Sequence, residues 1–384
     1  MQDTGPSAQR LLRTINWQPS DRVPIFPPIP WDPRNWPPPE PPSGWRGEDN
    51  YLQLAELCAQ HCDVIVGTGT LGPIFDRRFM LIPPEYIEVE SRQTTNGKTT
   101  VRLRVRTPRG DLHTTELSHA GVSTGWYPEP LLKDKDDVAR ILSVPYRFDP
   151  PDLAPFFADR DRLGERGLMQ IGVSTPLVST GRMFEFGHFL EWCRAEPALV
   201  EELVATHAER IRERLFWLLK NGVGPVYWFG GSEQATPPMM SRDLYDRLVV
   251  KYDRPLIQLV REHGCYAHVH CHGKVNHLLE RVMDMGAHMF DPCEPPPDGD
   301  LDFADAKGRA YGRMVLMGNI EFRHLEFAEP DEVEQMVADA ICRGGKQGTM
   351  LFPSATPITT VTDRYRDNAI RYIKAGLEHG RLNG

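Results

Sequence analysis

The chain has 384 residues, 40% hydrophobic and 25% charged, with a formal net charge of −9. That balance excludes a disordered or fibrous protein, and the negative charge argues against nucleic acid or an anionic membrane surface as the main partner. No apolar run reaches the length of a membrane span, and Met1-Gln-Asp-Thr-Gly5 lacks the basic-then-apolar pattern of a signal peptide. Seven scattered cysteines suit reduced thiols rather than a disulfide framework, so a soluble, cytoplasmic protein is expected.

Eight apolar segments read as buried strands, most of them followed by helical periodicity. In chain order they are Val23–Phe26, Asp63–Val66, Leu168–Val173, Pro225–Phe229, Cys265–His272, His288–Cys293, Met314–Gly318 and Met350–Pro353. Eight strands with intervening helices are the count of a closed (β/α)8 TIM barrel, an α/β fold that can occupy residues 1–384 as one domain. An open doubly wound sheet is the alternative, but no Gly-x-Gly-x-x-Gly turn follows any strand. Two segments interrupt the alternation. Residues 27–43 contain nine prolines with Trp31 and Trp36, and read as a Pro-rich N-terminal loop over one end of the barrel. Residues 86–117 alternate polar and apolar, broken by Asn96-Gly97 and by Pro108-Arg-Gly-Asp111, and read as an inserted antiparallel β meander.

The clearest helix starts after Glu196-Pro197, with Val200, Leu203, Val204, Ile211, Leu215 and Leu218 on one stripe and Asn221-Gly222 as its stop. A second begins at Pro330-Asp331 and ends at Gly344-Gly345. Between them lies the most informative stretch, His268-Val-His270-Cys-His272-Gly273. Strand alternation puts His268, His270 and His272 on one face and sends Cys271 to the other. A helical pattern then runs through Val275, Leu278, Leu279, Val282 and Met283 to Gly286, so the imidazoles sit at the carboxyl end of a strand, where α/β folds place their chemistry. A polar patch of satisfied histidines is the plainer reading of the same residues.

The other strand ends that converge on this mouth are Gly230-Gly-Ser-Glu233, Asp291-Pro-Cys293-Glu294, Gly318-Asn319-Ile-Glu321 and Ser354-Ala-Thr356-Pro357. Two imidazoles and a carboxylate form a common set for Zn²⁺ or a related divalent metal, with an open position left for substrate. Glu233, His270 and His272 are the candidate metal ligands, with Cys293 as a further one. Glu233 is equally readable as a helix-start carboxylate, and Cys293 as a small buried hydrophobe. Trp126 and Trp228 are candidate substrate-binding aromatics, and either also fits an ordinary core position.

Taken together, Asp21-Arg-Val-Pro24, Thr107-Pro-Arg-Gly110, Lys133-Asp-Lys-Asp-Asp-Val138, Tyr245-Asp-Arg-Leu248, His270-x-His272-Gly273, Gly318-Asn-Ile320 and Asp367-Asn368 resemble the uroporphyrinogen decarboxylase superfamily. The likeness spans most of the chain and is closest to the corrinoid-dependent methyltransferase branch. It implies the (β/α)8 fold reached above. The haem-pathway enzymes carry an Arg-Gln-Ala-Gly-Arg-Tyr-type motif where this chain reads Pro27-Pro-Ile-Pro-Trp-Asp-Pro-Arg-Asn-Trp36, which argues against that activity. The coenzyme M methyltransferases hold zinc through His-x-Cys and a later Cys. Here the matching places are His270 with His272 and the thiol-free Ser354-Ala-Thr356, so another ligand is needed and Glu233 supplies it.

The resemblance therefore implies a metal-dependent methyltransferase that moves a methyl group from a methylated small molecule, with an aryl methyl ether preferred, to a corrinoid. The corrinoid would arrive on a partner protein, because Asp111-Leu-His113 ends in Glu116 rather than completing a corrinoid-binding motif. Glu294 is expected to position substrate or take a proton. Asn319 is expected to hydrogen-bond substrate, backbone capping at Gly318 being an equal reading. A homodimer is an open point. The rival is a decarboxylase or other carbon–carbon lyase, which would use cations such as Arg182, Lys274 or Arg343 to grip a carboxylate. A catalytically silent binding barrel is the third reading.

Overall fold

The computed structural model describes residues 6–40, 42–72, 74–75, 79–120, 122 and 125–382. Seven parallel strands lie side by side in chain order: β1 (Ile65–Gly67), β6 (Leu168–Ser174), β7 (Val226–Gly230), β8 (Tyr266–His270), β9 (Met289–Asp291), β10 (Val315–Ile320) and β11 (Thr349–Pro353). The remaining stave is residues 23–26. Ile25 bridges Leu351 in parallel, Phe26 N–H donates to Leu351 O at 2.9 Å, and Asp63 N–H donates to Ile25 O at 2.7 Å on the other side. All eight expected strands are thus present and the first closes the barrel.

The closing seam is held by charge as well as backbone. Asp63 has no exposed surface, and its two oxygens accept from Arg10 Nη1 and Arg22 Nη1, each at 2.6 Å, while Ile25 N–H adds a third bond at 3.0 Å. Arg10 also grips Asp21 through Nε and Nη2. Burial works against ionisation of Asp21, but Arg10 outweighs it and holds the carboxyl down at about 2.

Side chains at alternate strand positions fill the barrel. Phe26, Leu168, Val226, Met289, Val315, Met317 and Met350 form the floor, plugged from below by Leu11 and Ile15 of the helix Ser7–Ile15, an element the sequence pattern does not announce. Each such side chain contributes about 1.5–3 kcal/mol through burial. The larger apolar layer lies outside the sheet, under helices such as Pro197–Lys220 and Pro330–Gly344, both bounded as expected. No helix among the described residues is long and apolar enough to cross a membrane.

The insert differs from expectation in its extent. It is four-stranded, with β2 (Ile87–Thr95), β3 (Lys98–Val105), β4 (Leu112–His119) and β5 (Gly125–Glu129), all antiparallel. The Asn96-Gly97 hairpin turn has both residues at positive φ, 50° and 73°, which is why glycine follows asparagine there. The Pro-rich loop, over its described residues, holds only the short 310 turn Pro33–Asn35, and Arg34 ties it to Asp159 and to Gly67 O at the carboxyl end of β1.

Replacing Asp63 with alanine leaves two buried guanidinium groups without their shared anion. The expected loss is about 3–5 kcal/mol in urea unfolding. A midpoint equal to that of the wild type would show that the seam does not depend on this carboxylate.

Candidate active site at the carboxyl end of the barrel

Strand alternation carries Tyr266, His268 and His270 along the inner face of β8, and His272 continues past the strand end. The three imidazoles have different surroundings. His268 is buried, with Nδ1 3.3 Å from Gln170 Oε1 and Nε2 in charge contact with Asp291 Oδ1 at 2.5 Å, so both ring nitrogens lie against polar partners. His270 and His272 each commit only Nδ1. His270 Nδ1 lies 2.9 Å from Asp291 Oδ2, and His272 Nδ1 lies 2.9 Å from Glu294 Oε1. With Nδ1–H donated to a carboxylate, Nε2 is the remaining nitrogen of each ring, a lone-pair donor in the neutral imidazole.

Glu233 reaches the same place from the turn after β7, where its Oε1 stands 3.8 Å from His270 Nε2. The turn is possible because Gly231 takes φ 96°, a left-handed conformation in which a side chain would be strained. Trp228 lies in the mouth below it, its ring 4.9 Å from that of His270. A Cβ on Gly230 would come within 2.3 Å of the Trp228 indole, so only glycine lets the ring lie there.

The electrostatics follow from this layering. Asp291 is 2% exposed, yet the imidazoles of His270 and His268 outweigh its burial and hold the carboxyl far below the ordinary range. Conversely, burial acts against a charged His270, but Asp291, then Glu233 and Glu294, overcome it and raise its pKa. Glu294 uses its other oxygen to accept from Gly273 N–H at 3.2 Å, which fixes the turn that carries His272. Its place is therefore behind His272 as an orienting group.

Other expected residues are distributed as follows. Asn319 occupies an inward position of β10, two residues beyond the buried Met317, and is half-buried at the mouth. Cys271 is buried on the outer side of the sheet, as alternation requires. Cys293 is also fully buried, its Cβ close beneath Gly318, and burial, then Asp291, push its thiol up. Trp126 lies on β5 of the insert, paired with Leu117, and its ring partner is His119 at 5.7 Å.

Two residues of the site have no role that the sequence assigns, although Glu321 ends one of the mouth segments named above. Gln170 is the polar residue on the inward track Leu168, Gln170, Gly172 of β6, a break in an apolar pattern that could have revealed it. Glu321 follows Gly318-Asn-Ile320 and is 3% exposed, beside Arg323, Asp298 and Glu294. Burial and Asp298 together raise its carboxyl to about 7 against the pull of Arg323.

The donor chemistry suits a divalent cation, with two Nε2 lone pairs backed by carboxylates and a third carboxylate beside them. The donor atoms of Glu233, His270 and His272 do not all fall within 4.8 Å of one another. Among the described residues that condition is met by Glu334, Glu378 and His379, on the outer helices. In metal-free protein, Asp291→Asn removes the main charge that holds His270 protonated, so His270 should titrate at lower pH in NMR. An unchanged His270 titration would contradict the assigned pairing.

A methyltransferase from Methanosarcina mazei superposes with a TM-score of 0.57 at 16% identity, covering 98% of this chain and 99% of its own. A B12-independent methionine synthase from Shewanella sp. W3-18-1 gives 0.42 at 9% identity, covering 76% and 75%. No curated protein sequence matches the chain. The family model for uroporphyrinogen decarboxylase (URO-D) matches residues 160–362, more than half of the sequence and the part that builds β6 to β11. The chain belongs to the uroporphyrinogen decarboxylase family.

Proposed function

We propose that this chain is a metal-dependent methyltransferase that passes a methyl group from a methylated small molecule to a corrinoid carried by a partner protein. The observation that carries the reading is the pair of imidazoles at the barrel mouth. Each is oriented by its own carboxylate through Nδ1, and each keeps Nε2 uncommitted. Glu233, His270 and His272 would hold a divalent cation, zinc being the expected one. Bound there, it would supply Lewis-acid polarisation of the heteroatom that carries the methyl group.

The protein's own residues account for the rest. Asp291 and Glu294 fix ring orientation through Nδ1, so that Nε2 of each ring is the atom left to bind a cation. Trp228 walls one side with an apolar ring, which limits water around a strongly nucleophilic acceptor. Asn319, inward and half-buried, is placed to hydrogen-bond the donor molecule. The Methanosarcina neighbour is itself named a methyltransferase, which accords with this reading.

The lyase reading needs cations to hold a carboxylated substrate. Arg343 is paired with Asp302, and Arg182 and Lys274 are exposed. The mouth instead gathers the carboxylates Glu233, Asp291, Glu294 and Glu321, an environment that attracts a cation and repels a carboxylate.

The test combines cobalt(I) corrinoid, a set of aryl methyl ethers and the purified protein, followed by absorbance. Methylation of the corrinoid is expected with the wild type. Glu233→Gln should bind zinc about 10–100-fold more weakly and lose activity in proportion. Carbon dioxide release from a carboxylated substrate without corrinoid would overturn the proposal in favour of the lyase.

A further inference from the structure

A methyl group leaving an ether oxygen as a cation equivalent leaves an alkoxide or phenoxide behind, and nothing in the ligand set just described protonates it. Glu321 is the group in the mouth whose surroundings suit that task. Met317 and Asn319 hold the inward positions of β10, and Glu321 comes next in the same alternation, immediately past the strand end. It is 3% exposed, and neither of its oxygens makes a well-directed hydrogen bond, although Arg323 Nη2 stands 2.6 Å from Oε2.

Its neighbours are charged on every side. Asp298 and Glu294 approach from the segment after β9, and Arg323 projects from the helix Phe322–Phe327. Arg323 also bonds Asp298 through Nη1 at 2.7 Å, so one guanidinium bridges the two carboxyl groups. Two carboxyl groups this close favour a shared proton over two negative charges. Glu294, whose field Glu321 feels, is the same carboxylate that orients His272, which places Glu321 beside the metal-ligand cluster.

We infer that Glu321 is the general acid of the methyl transfer, donating its proton to the departing oxygen, with Asp298 favouring the protonated form beforehand and Arg323 accommodating the charge afterwards. This rests on the methyltransferase reading above. In the step, the electron pair of cobalt(I) forms the cobalt–carbon bond and the carbon–oxygen bond breaks. The oxygen keeps that bond's electrons and takes the Glu321 proton, and solvent later reprotonates the carboxylate. A carboxyl raised to about 7 by burial and Asp298 is half-protonated at neutral pH, near the optimum for a general acid.

The sign is definite. Glu321 is protonated below its pKa and ionised above it, so the rate should fall as pH rises through about 7. Glu321→Gln should remove that alkaline limb and slow transfer from methoxybenzene by about 10²–10⁴-fold, with zinc content unchanged. The loss should shrink strongly with nitro-substituted aryl methyl ethers, whose phenoxides depart without a proton. Asp298→Asn, which leaves Arg323 to Glu321 alone, should move the alkaline limb to lower pH by about one unit. Equal losses across all donors, or an unaltered pH profile in both variants, would overturn the acid role while leaving the methyltransferase reading in place. A wild type that methylates no corrinoid at any pH would overturn both.

Discussion

One buried carboxylate organises the mouth of this barrel. Asp291 is shared by two histidines of the neighbouring strand, His268 at 2.5 Å and His270 at 2.9 Å, and without them its burial would cost several kcal/mol. The pairing works in both directions. The imidazoles keep Asp291 ionised, and Asp291 fixes the ring planes on which the site depends. His268, closed off by Gln170 on its other nitrogen, becomes part of the scaffold, and His270 keeps one nitrogen for chemistry. A sub-ångström change in that layer would be felt at the ligand positions above it, because a ring held through Nδ1 can neither slide nor flip without leaving a buried charge unpaired.

The barrel makes this layering possible. Its lower half is an apolar floor of Leu168, Val226, Met289, Val315 and Met350, and its seam is pinned by Asp63 between Arg10 and Arg22. Above the floor, Gly230 leaves room for the Trp228 ring, which lies against His270. Several signatures that mark the family do structural work in the same way. Arg22 closes the seam, Asp134 caps the helix Lys135–Leu142, and the fully buried Asn368 donates to the carbonyls of Leu325 and Ala328. A family likeness resting on such residues therefore reports the scaffold, and the ligand positions have to be read on their own chemistry.

Much of the scaffold is legible in the sequence because barrel strands are continuous apolar runs and the long helices carry clean stops. The inward face of His268, His270 and His272 and the outward course of Cys271 follow from a period of two. Their division of labour does not, since it is set by Gln170 on β6 and by Asp291 and Glu294 on and after β9, partners that only the closed sheet brings within reach. The same holds for Glu321, whose significance lies in Asp298 and Arg323. The fourth meander strand is hidden because Gly125-Trp-Tyr-Pro-Glu129 includes a proline. It is tolerated there because β5 is an edge strand and needs no donor on its free side. The helix Ser7–Ile15 is hidden because it is short and has no capping side chain.

The metal reading is the claim on which the chemistry rests, and zinc-edge X-ray absorption on the protein as purified tests it most directly. The account predicts about one zinc per chain bound by two imidazole nitrogens at about 2.0–2.1 Å and one carboxylate oxygen, with the imidazole signature abolished in a His270→Ala, His272→Ala double variant. Zinc that stays unchanged in that variant, or bound through the Glu334, Glu378 and His379 group instead, would contradict it.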